Sequence, residues 1–216
     1  YEVMKEKKKA KQKANSKGLK FIVPSNFGFE NIGPDVELSF NSAKQKIIEN
    51  GYNIVEEELP ILETYKKIPL WQFAAVECQA EYFEAYTEKK HLIDPNILKR
   101  MDRANDVMAI EYKLLLKMRE DLIKEFNSFL KNNFLLMPTV TIKPPLLKKC
   151  DDQEFYDKVN LITLKNTSLA NYMNGCSLSL PYFINNEPTG IMLNGSTNND
   201  DNLLEIGSEF ETILST

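Results

Sequence analysis

Apolar residues along this chain recur at spacings that switch repeatedly between those of strands and those of helices. Residues 19–23 form a short apolar run closed by Pro24, and residues 25–33 read as a loop holding Gly28 and Gly33. Pro34 suits a first helical turn, and Val36, Leu38, Phe40, Ala43, Ile47 and Ile48 then repeat near helical spacing. Asp35 and Glu37 favour the start of that helix, and Gly51 suits its C′ position. Residues 53–59 alternate into a second strand. The stretch predicts a strand-helix-strand unit of about 40 residues, with two parallel strands joined by a right-handed crossover.

The middle of the chain reads as helical. Residues 70–88 place Trp71, Ala74, Ala75, Cys78, Tyr82 and Tyr86 mostly three or four apart, and residues 105–133 continue as one long periodic segment. Stripes of this kind are read as core, and Lys113, Lys117, Glu120, Asp121 and Lys124 as a solvated face. Further on, residues 134–137 predict a buried strand stopped by Pro138, and residues 161–174 a helix with Gly175 at C′. Two strands at 176–180 and 189–193 are joined by a turn containing Asn185, Asn186 and Pro188, and Asp200 opens a last amphipathic helix to about Leu214. Strands recur between helices throughout, so the class is α/β with a mixed sheet.

Composition narrows the chemistry. With 216 residues, 43% hydrophobic and 27% charged, the chain has the make-up of a globular protein, and no apolar run approaches the length of a membrane span. A net charge of -4 argues against a dedicated nucleic-acid binder, although residues 1–17 carry seven lysines; these read as a solvated linker or arm. The single histidine, His91, follows Lys89 and Lys90 and reads as a solvated loop residue. A histidine-dependent triad or a Cys/His zinc site therefore has little to draw on, and no metal or cofactor is expected. Cys78, Cys150 and Cys176 lie among apolar neighbours and read as buried, reduced thiols, which points to a reducing, cytoplasmic setting. The chain starts at Tyr1 and no apolar leader follows; this start reads as a cut.

The eight glycines form no phosphate-binding or nucleophile-elbow motif, and runs of acids such as Glu56, Glu57 and Glu58 suit the surface. What remains is polar residues in apolar surroundings. Thr139 and Thr141 follow a buried strand end, where ligands of open α/β sheets usually lie, and Asn166, Thr167, Ser168 and Asn171 sit on a helix running into a core strand. The alternative is that these groups cap helices and satisfy turn amides.

Four blocks in order carry a family resemblance: GLKFIVPSNFGFENIGPDV at 18–36, FLLMPT at 134–139, LKNTSLANYMNGCSLSLP at 164–181 and PTGIMLNG at 188–195. Together they resemble the C-terminal half of amidase signature hydrolases, whose later elements read RNT…N…G…SLP and P-x-G followed by alternating hydrophobic positions and Gly. The resemblance covers about residues 18–214. It implies the C-terminal half of an amidase-signature mixed sheet flanked by helices, with 1–17 as a lysine-rich linker or arm and 18–216 as the C-terminal part of an amidase domain. It also implies hydrolysis of a small-molecule carboxamide to acid and ammonia or amine through a Ser-cisSer-Lys mechanism.

The family's glycine/serine loop and catalytic lysine belong to its N-terminal half, and this sequence has no Gly-Ser-Ser and no Ser-Ser pair. No catalytic residue is therefore assigned, and the chain alone is expected to be inactive. Thr139, Asn166, Thr167 and Asn171 are the substrate-pocket candidates that the resemblance implies. The expected partners are the N-terminal half of the same amidase or a chain carrying it, a small amide, and a possible second copy, with no membrane and no nucleic acid. A sheet edge and an apolar face should then await the missing half.

Two alternatives stay open. One is the A subunit of a glutamyl/aspartyl-tRNA amidotransferase, where an acidic residue is expected at the position of Leu164. The other is a non-catalytic, amidase-derived structural subunit of a larger assembly.

Overall fold

The computed structural model describes residues 16–184 and 187–215, and the lysine-rich arm expected over 1–17 lies almost wholly outside them. Eight helices and five strands are described. The chain divides into two compact units. The first is made of the described residues up to Leu59 and those from Phe126 onward, and the second is Pro60–Glu125.

The first unit is built on a five-stranded sheet in the order β2-β1-β3-β5-β4. Strands β1 (Lys20–Pro24) and β2 (Asn53–Glu57) are parallel in register from Lys20 opposite Asn53 to Pro24 opposite Glu57, with α1 (Pro34–Glu49) between them in sequence. β3 (Phe134–Pro138) is parallel to β1 and antiparallel to β5 (Glu187–Gly195), and β5 pairs antiparallel with β4 (Cys176–Ile184). The sheet is mixed, as the alternation of patterns predicts. Both hairpin strands run longer than the apolar runs at 176–180 and 189–193. Pro188 is not a turn residue: it sits inside β5 opposite Phe183, and Asn185 and Asn186 lie outside the described residues.

Side chains alternate across this sheet, so each face receives every second residue. One face collects Phe21, Val23, Phe134, Leu136, Leu180, Ile191 and Leu193 under the buried stripes of α1 and α8 (Asp200–Leu214). Phe21 lies at the centre: its ring stacks on Phe134 at 6.1 Å and meets Phe210 at 4.9 Å. Tyr52 packs edge-on against Phe210 and donates its hydroxyl to Glu209 at 2.9 Å, joining the chain just before β2 to α8. Burial, then the Glu209 carboxylate, raises the Tyr52 hydroxyl above its ordinary pKa. Gly207 lets α8 lie close to the sheet, because a Cβ there would collide with Leu178.

Helix α7 (Gln153–Tyr172) begins eight residues before the expected position 161, because the Asp152 carboxylate accepts the Phe155 N–H at 2.7 Å and caps it. Its end also differs from expectation. Asn174, with φ of 50°, takes the left-handed position assigned to Gly175. Gly175 is needed for a different reason: a Cβ there would stand 2.5 Å from the Gly195 carbonyl oxygen.

The second unit is helical: α2 (Pro60–Lys66), α3 (Leu70–Glu81), α4 (Phe83–Glu88), α5 (Pro95–Asp102) and most of α6 (Ala109–Leu130). The segment 70–88 is broken at Tyr82, which adopts φ -106° and ψ 33°. No glycine or proline marks that break in the sequence. The Arg103 guanidinium stacks on Trp71 at 4.0 Å, and Asp102 accepts from Tyr86 at 2.7 Å and Lys90 at 2.8 Å. Tyr112 donates to Glu77 at 3.0 Å; burial, then this carboxylate, pushes its hydroxyl up to about 12. His91 is exposed in a 3-10 turn, and the charges along α6 face solvent as expected. The apolar stripe over 105–133 is core only in part: Leu115 and Leu122 are buried, whereas Met108, Ile110, Leu114 and Met118, and Tyr82 at the end of α3, are exposed. No helix among the described residues is long and apolar enough to cross a membrane.

Only one of the three thiols is buried. Cys176 is covered and bonded to Ser196 O, whereas Cys78 and Cys150 are half-buried, because each sits on a helix or turn flank facing partly outward. Burial, then the neighbouring Asp200, pushes the Cys176 thiol up to about 11 from an ordinary value of 9.0. The proton is thus held more tightly in the folded state. Its contribution to stability is complete below pH 9 and is lost as pH rises toward about 11. A disulfide-exchange reagent at pH 8 should label Cys78 and Cys150 first and Cys176 only on unfolding; equal rates for all three would contradict this burial. A second expectation concerns backbone approach. Gly175→Ala should lower the unfolding free energy by about 1–3 kcal/mol, read as a lower urea midpoint at unchanged slope.

Candidate functional site

The carboxyl ends of the parallel strands β1 and β3 open on the same side of the sheet, and the polar candidates gather there. β3 is buried along its whole length and ends at Pro138. Its next residue, Thr139, is held by an N–H···O bond to Gly190 of β5 at 2.8 Å. The Thr139 hydroxyl shares a 2.6 Å hydrogen bond with the Ser179 hydroxyl of β4. Gly190 makes that contact possible, since a Cβ there would stand 2.5 Å from Thr139 Oγ1 and 2.8 Å from Ser179 Oγ.

Asn166 is the centre of the group. It lies on α7 and is 1% exposed. Its Nδ2 donates to Pro138 O at 2.8 Å and to Gly28 O at 3.0 Å. One side-chain amide therefore ties the end of β3 to the loop that follows β1. Its Oδ1 is fully buried and has no protein partner. A buried acceptor left unpaired costs about 1–3 kcal/mol, so this oxygen marks a position where a donor would be strongly favoured.

The loop after β1 is shaped to meet it. Gly28 takes φ of 89°, a conformation that side chains disfavour, and a Cβ there would approach Met137 within 3.1 Å and Asn166 Nδ2 within 3.6 Å. The Glu30 carboxylate accepts the Gly28 N–H at 2.8 Å and pairs with Lys165 at 3.0 Å. Partial burial acts to raise Glu30, but the hydrogen bond and charge of Lys165, with the loop amides, outweigh it and hold the carboxyl below its usual range. The loop's gain from this pairing is present above the ordinary carboxylate pKa and fades as pH falls below it.

The other two candidates are placed differently. Thr167 turns its hydroxyl back to Leu164 O at 3.2 Å, a bond within its own helix, and Asn171 is exposed near the end of α7. The structure thus brings Thr139 and Asn166 into one cluster. It keeps the Thr167 hydroxyl bonded within α7 and places Asn171 one turn further along that helix. Thr141, also singled out, is buried, and its carbonyl accepts the Gly33 N–H at 2.8 Å, which ties the loop after β3 to the start of α1. Ser179, Gly190, Glu30 and Lys165 complete the cluster without having been picked out by sequence reasoning. Their signal, a Glu and a Lys far apart in sequence, becomes meaningful only once α7 crosses the loop after β1.

The profile of the family described as Amidase matches residues 2–204. A curated relative, 2-amino-5-chloromuconic acid deaminase from Comamonas testosteroni, is 26% identical over 204 residues, covering 91% of this chain and 44% of the relative. An allophanate hydrolase from Kluyveromyces lactis superposes with a TM-score of 0.75 at 19% identity, covering 92% of this chain and 32% of that one. The crystal structure of an amidase gives 0.72 at 20% identity, with 91% and 46% covered. The chain spans less than half the length of each.

The Asn166 bridge can be tested directly. Asn166→Leu, which strands two carbonyl oxygens, should lower stability by about 1–3 kcal/mol, and Asn166→Asp should lower it further at neutral pH, where a carboxylate would face those oxygens. Urea denaturation of both variants checks the order; equal costs would mean that the two donated bonds are not what the site depends on.

Proposed function

We propose, starting from the fact that this chain belongs to the amidase family, that residues 18–216 form the C-terminal part of an amidase domain. In this reading 1–17 is the connecting arm, and the whole protein hydrolyses a small-molecule carboxamide to the acid and ammonia or an amine in the cytoplasm. The observation that carries the reading is the polar cluster at the carboxyl ends of β1 and β3, with the buried, unpaired Asn166 Oδ1 at its centre. An acyl-side pocket needs such groups: donors and acceptors fixed by the scaffold before substrate arrives.

The chemistry would be supplied from the N-terminal half, in the same polypeptide or a partner chain. There a serine attacks the carbonyl carbon while its proton passes through a second serine to a lysine. The C–N bond breaks as the nitrogen is protonated, and water then releases the acid from the acyl-serine. This chain contributes Thr139 and Asn166 to the pocket wall, with Thr167 and Asn171 farther along α7. The edge strand β4, where Phe183 is 62% exposed, and the outward Leu161 and Leu164 of α7 offer surface for that half. Leu164, where a tRNA-dependent amidotransferase A subunit would carry an acid, favours a stand-alone amidase.

The test is reconstitution. The 216-residue chain alone should release no ammonia from simple carboxamides, and a polypeptide that also carries the upstream half should do so. In that longer protein Asn166→Ala should lower kcat/KM by up to about 100-fold through displaced pocket geometry. Hydrolysis by the isolated chain, or full activity in the variant, would overturn the reading.

A further inference from the structure

Between the loop that leaves β3 and the first half of α7 lies a cavity of about 430 Å³. Its wall is apolar, formed by Ile142 and Leu146 of the loop and Phe155, Val159 and Ile162 of α7. Those three helical residues are four and three apart, on the face that carries Asn166 one turn later. A rise of about 6 Å over that turn puts the cavity next to the polar cluster, on the carboxyl-end side of the sheet. Pro144 and Pro145 fix φ along the loop and stiffen its wall.

Charge in the lining has one sign. Lys143, Lys149 and Lys158 contribute to it, and no carboxylate does. Asp35 engages Lys143, whereas Lys149 and Lys158 are exposed. None of the acidic neighbours in sequence lines the cavity: Asp152 caps α7, Asp157 accepts from Gln153 at 3.0 Å, and Asp151 and Glu154 are exposed.

We propose that this cavity binds an amphipathic organic carboxylate, with an aryl or medium-chain body against the apolar wall and the carboxylate between Lys149 and Lys158. A neutral apolar molecule would make no use of the two ammonium groups, and a compact inorganic anion would leave the wall in water. The volume falls within the range of about 300–1,000 Å³ typical of small-molecule sites. The inference goes beyond the amidase reading and does not require it. Where both hold, the ligand is the acyl portion of an amide bearing a distal carboxylate.

The probe is 4-phenylbutanoate, titrated into the 216-residue chain by calorimetry and by saturation-transfer NMR, with 4-phenylbutan-1-ol and acetate as comparators. Expected are saturable binding of the carboxylate, binding of the alcohol weaker by about fivefold or more, and no saturation by acetate. The double variant Lys149→Gln, Lys158→Gln should weaken the carboxylate by about the same factor, leave the alcohol unchanged and leave the thermal midpoint unaltered. Equal affinity for alcohol and carboxylate, unchanged affinity in the double variant, or no saturable binding would each overturn the proposal. Ammonia release by the longer protein is a separate readout, so failure here and failure of the amidase reading are distinguishable.

Discussion

Everything in the sheet-bearing unit hangs on one buried strand. β3, five residues long and buried throughout, joins a parallel pair on one side to an antiparallel hairpin on the other. Backbone groups at that depth must all be paired, so β1 and β5 cannot be displaced without leaving polar groups unsatisfied in an apolar interior. Its side chains alternate, sending Phe134 and Leu136 to the aromatic layer under α1 and α8 and Leu135 and Met137 to the opposite side. A slip of one residue would exchange these two sets, which is why the register is so firmly specified. Where the strand ends, at Pro138, its last carbonyl becomes the anchor for the polar cluster around Asn166.

That anchoring explains why an amide side chain stands at the centre. A hydroxyl could donate once, but Asn166 donates twice, to Pro138 O and Gly28 O, and so fixes two chain segments with one buried group. The arrangement is costly alone, because Oδ1 stays without a protein partner. Asn194 on β5 shows that this cost is not confined to the cluster: it is fully buried, and neither atom of its amide has a protein partner. The two differ in consequence. Asn166 offsets part of its burial with two donated bonds, whereas the Asn194 amide does not, and of the two only Asn166 stands at the carboxyl end of β3.

Much of this was legible beforehand, and the reasons are local. The β1 and β3 runs, the α1 stripe with its proline and acids, and the start of α8 at Asp200 follow from periodicity and caps, which depend on neighbours in sequence. Thr139 and Asn166 could be singled out because a polar residue amid apolar neighbours near a strand end is itself unusual. Sequence pattern misleads where distant contacts decide. Gly175 looks like a helix terminator, yet its role is to admit the Gly195 carbonyl, and Asn174 makes the left-handed turn. Pro188 looks like a turn residue but pairs inside a strand. The Glu30 and Lys165 pair spans most of the chain, so no spacing could reveal it.

The two edges of the sheet are managed by different means, and the difference bears on how the unit can associate. β2 is defended by charge: Lys44 pairs with Glu56 at 2.8 Å and Lys20 approaches Glu57, so another strand laid along this edge would have to strip water from these groups. β4 carries no such charges. Its outward residues Ser177, Ser179 and Pro181 are small or lack an amide hydrogen, and Phe183 stands exposed beyond them. Proline interrupts strand addition, but it does not repel an apolar side-chain surface. The β4 side is thus protected against indiscriminate strand pairing while remaining open to a partner that packs by side chains. Since Ser179 on the same strand holds Thr139, a partner seated there would press directly on the polar cluster at the strand ends through that hydroxyl pair.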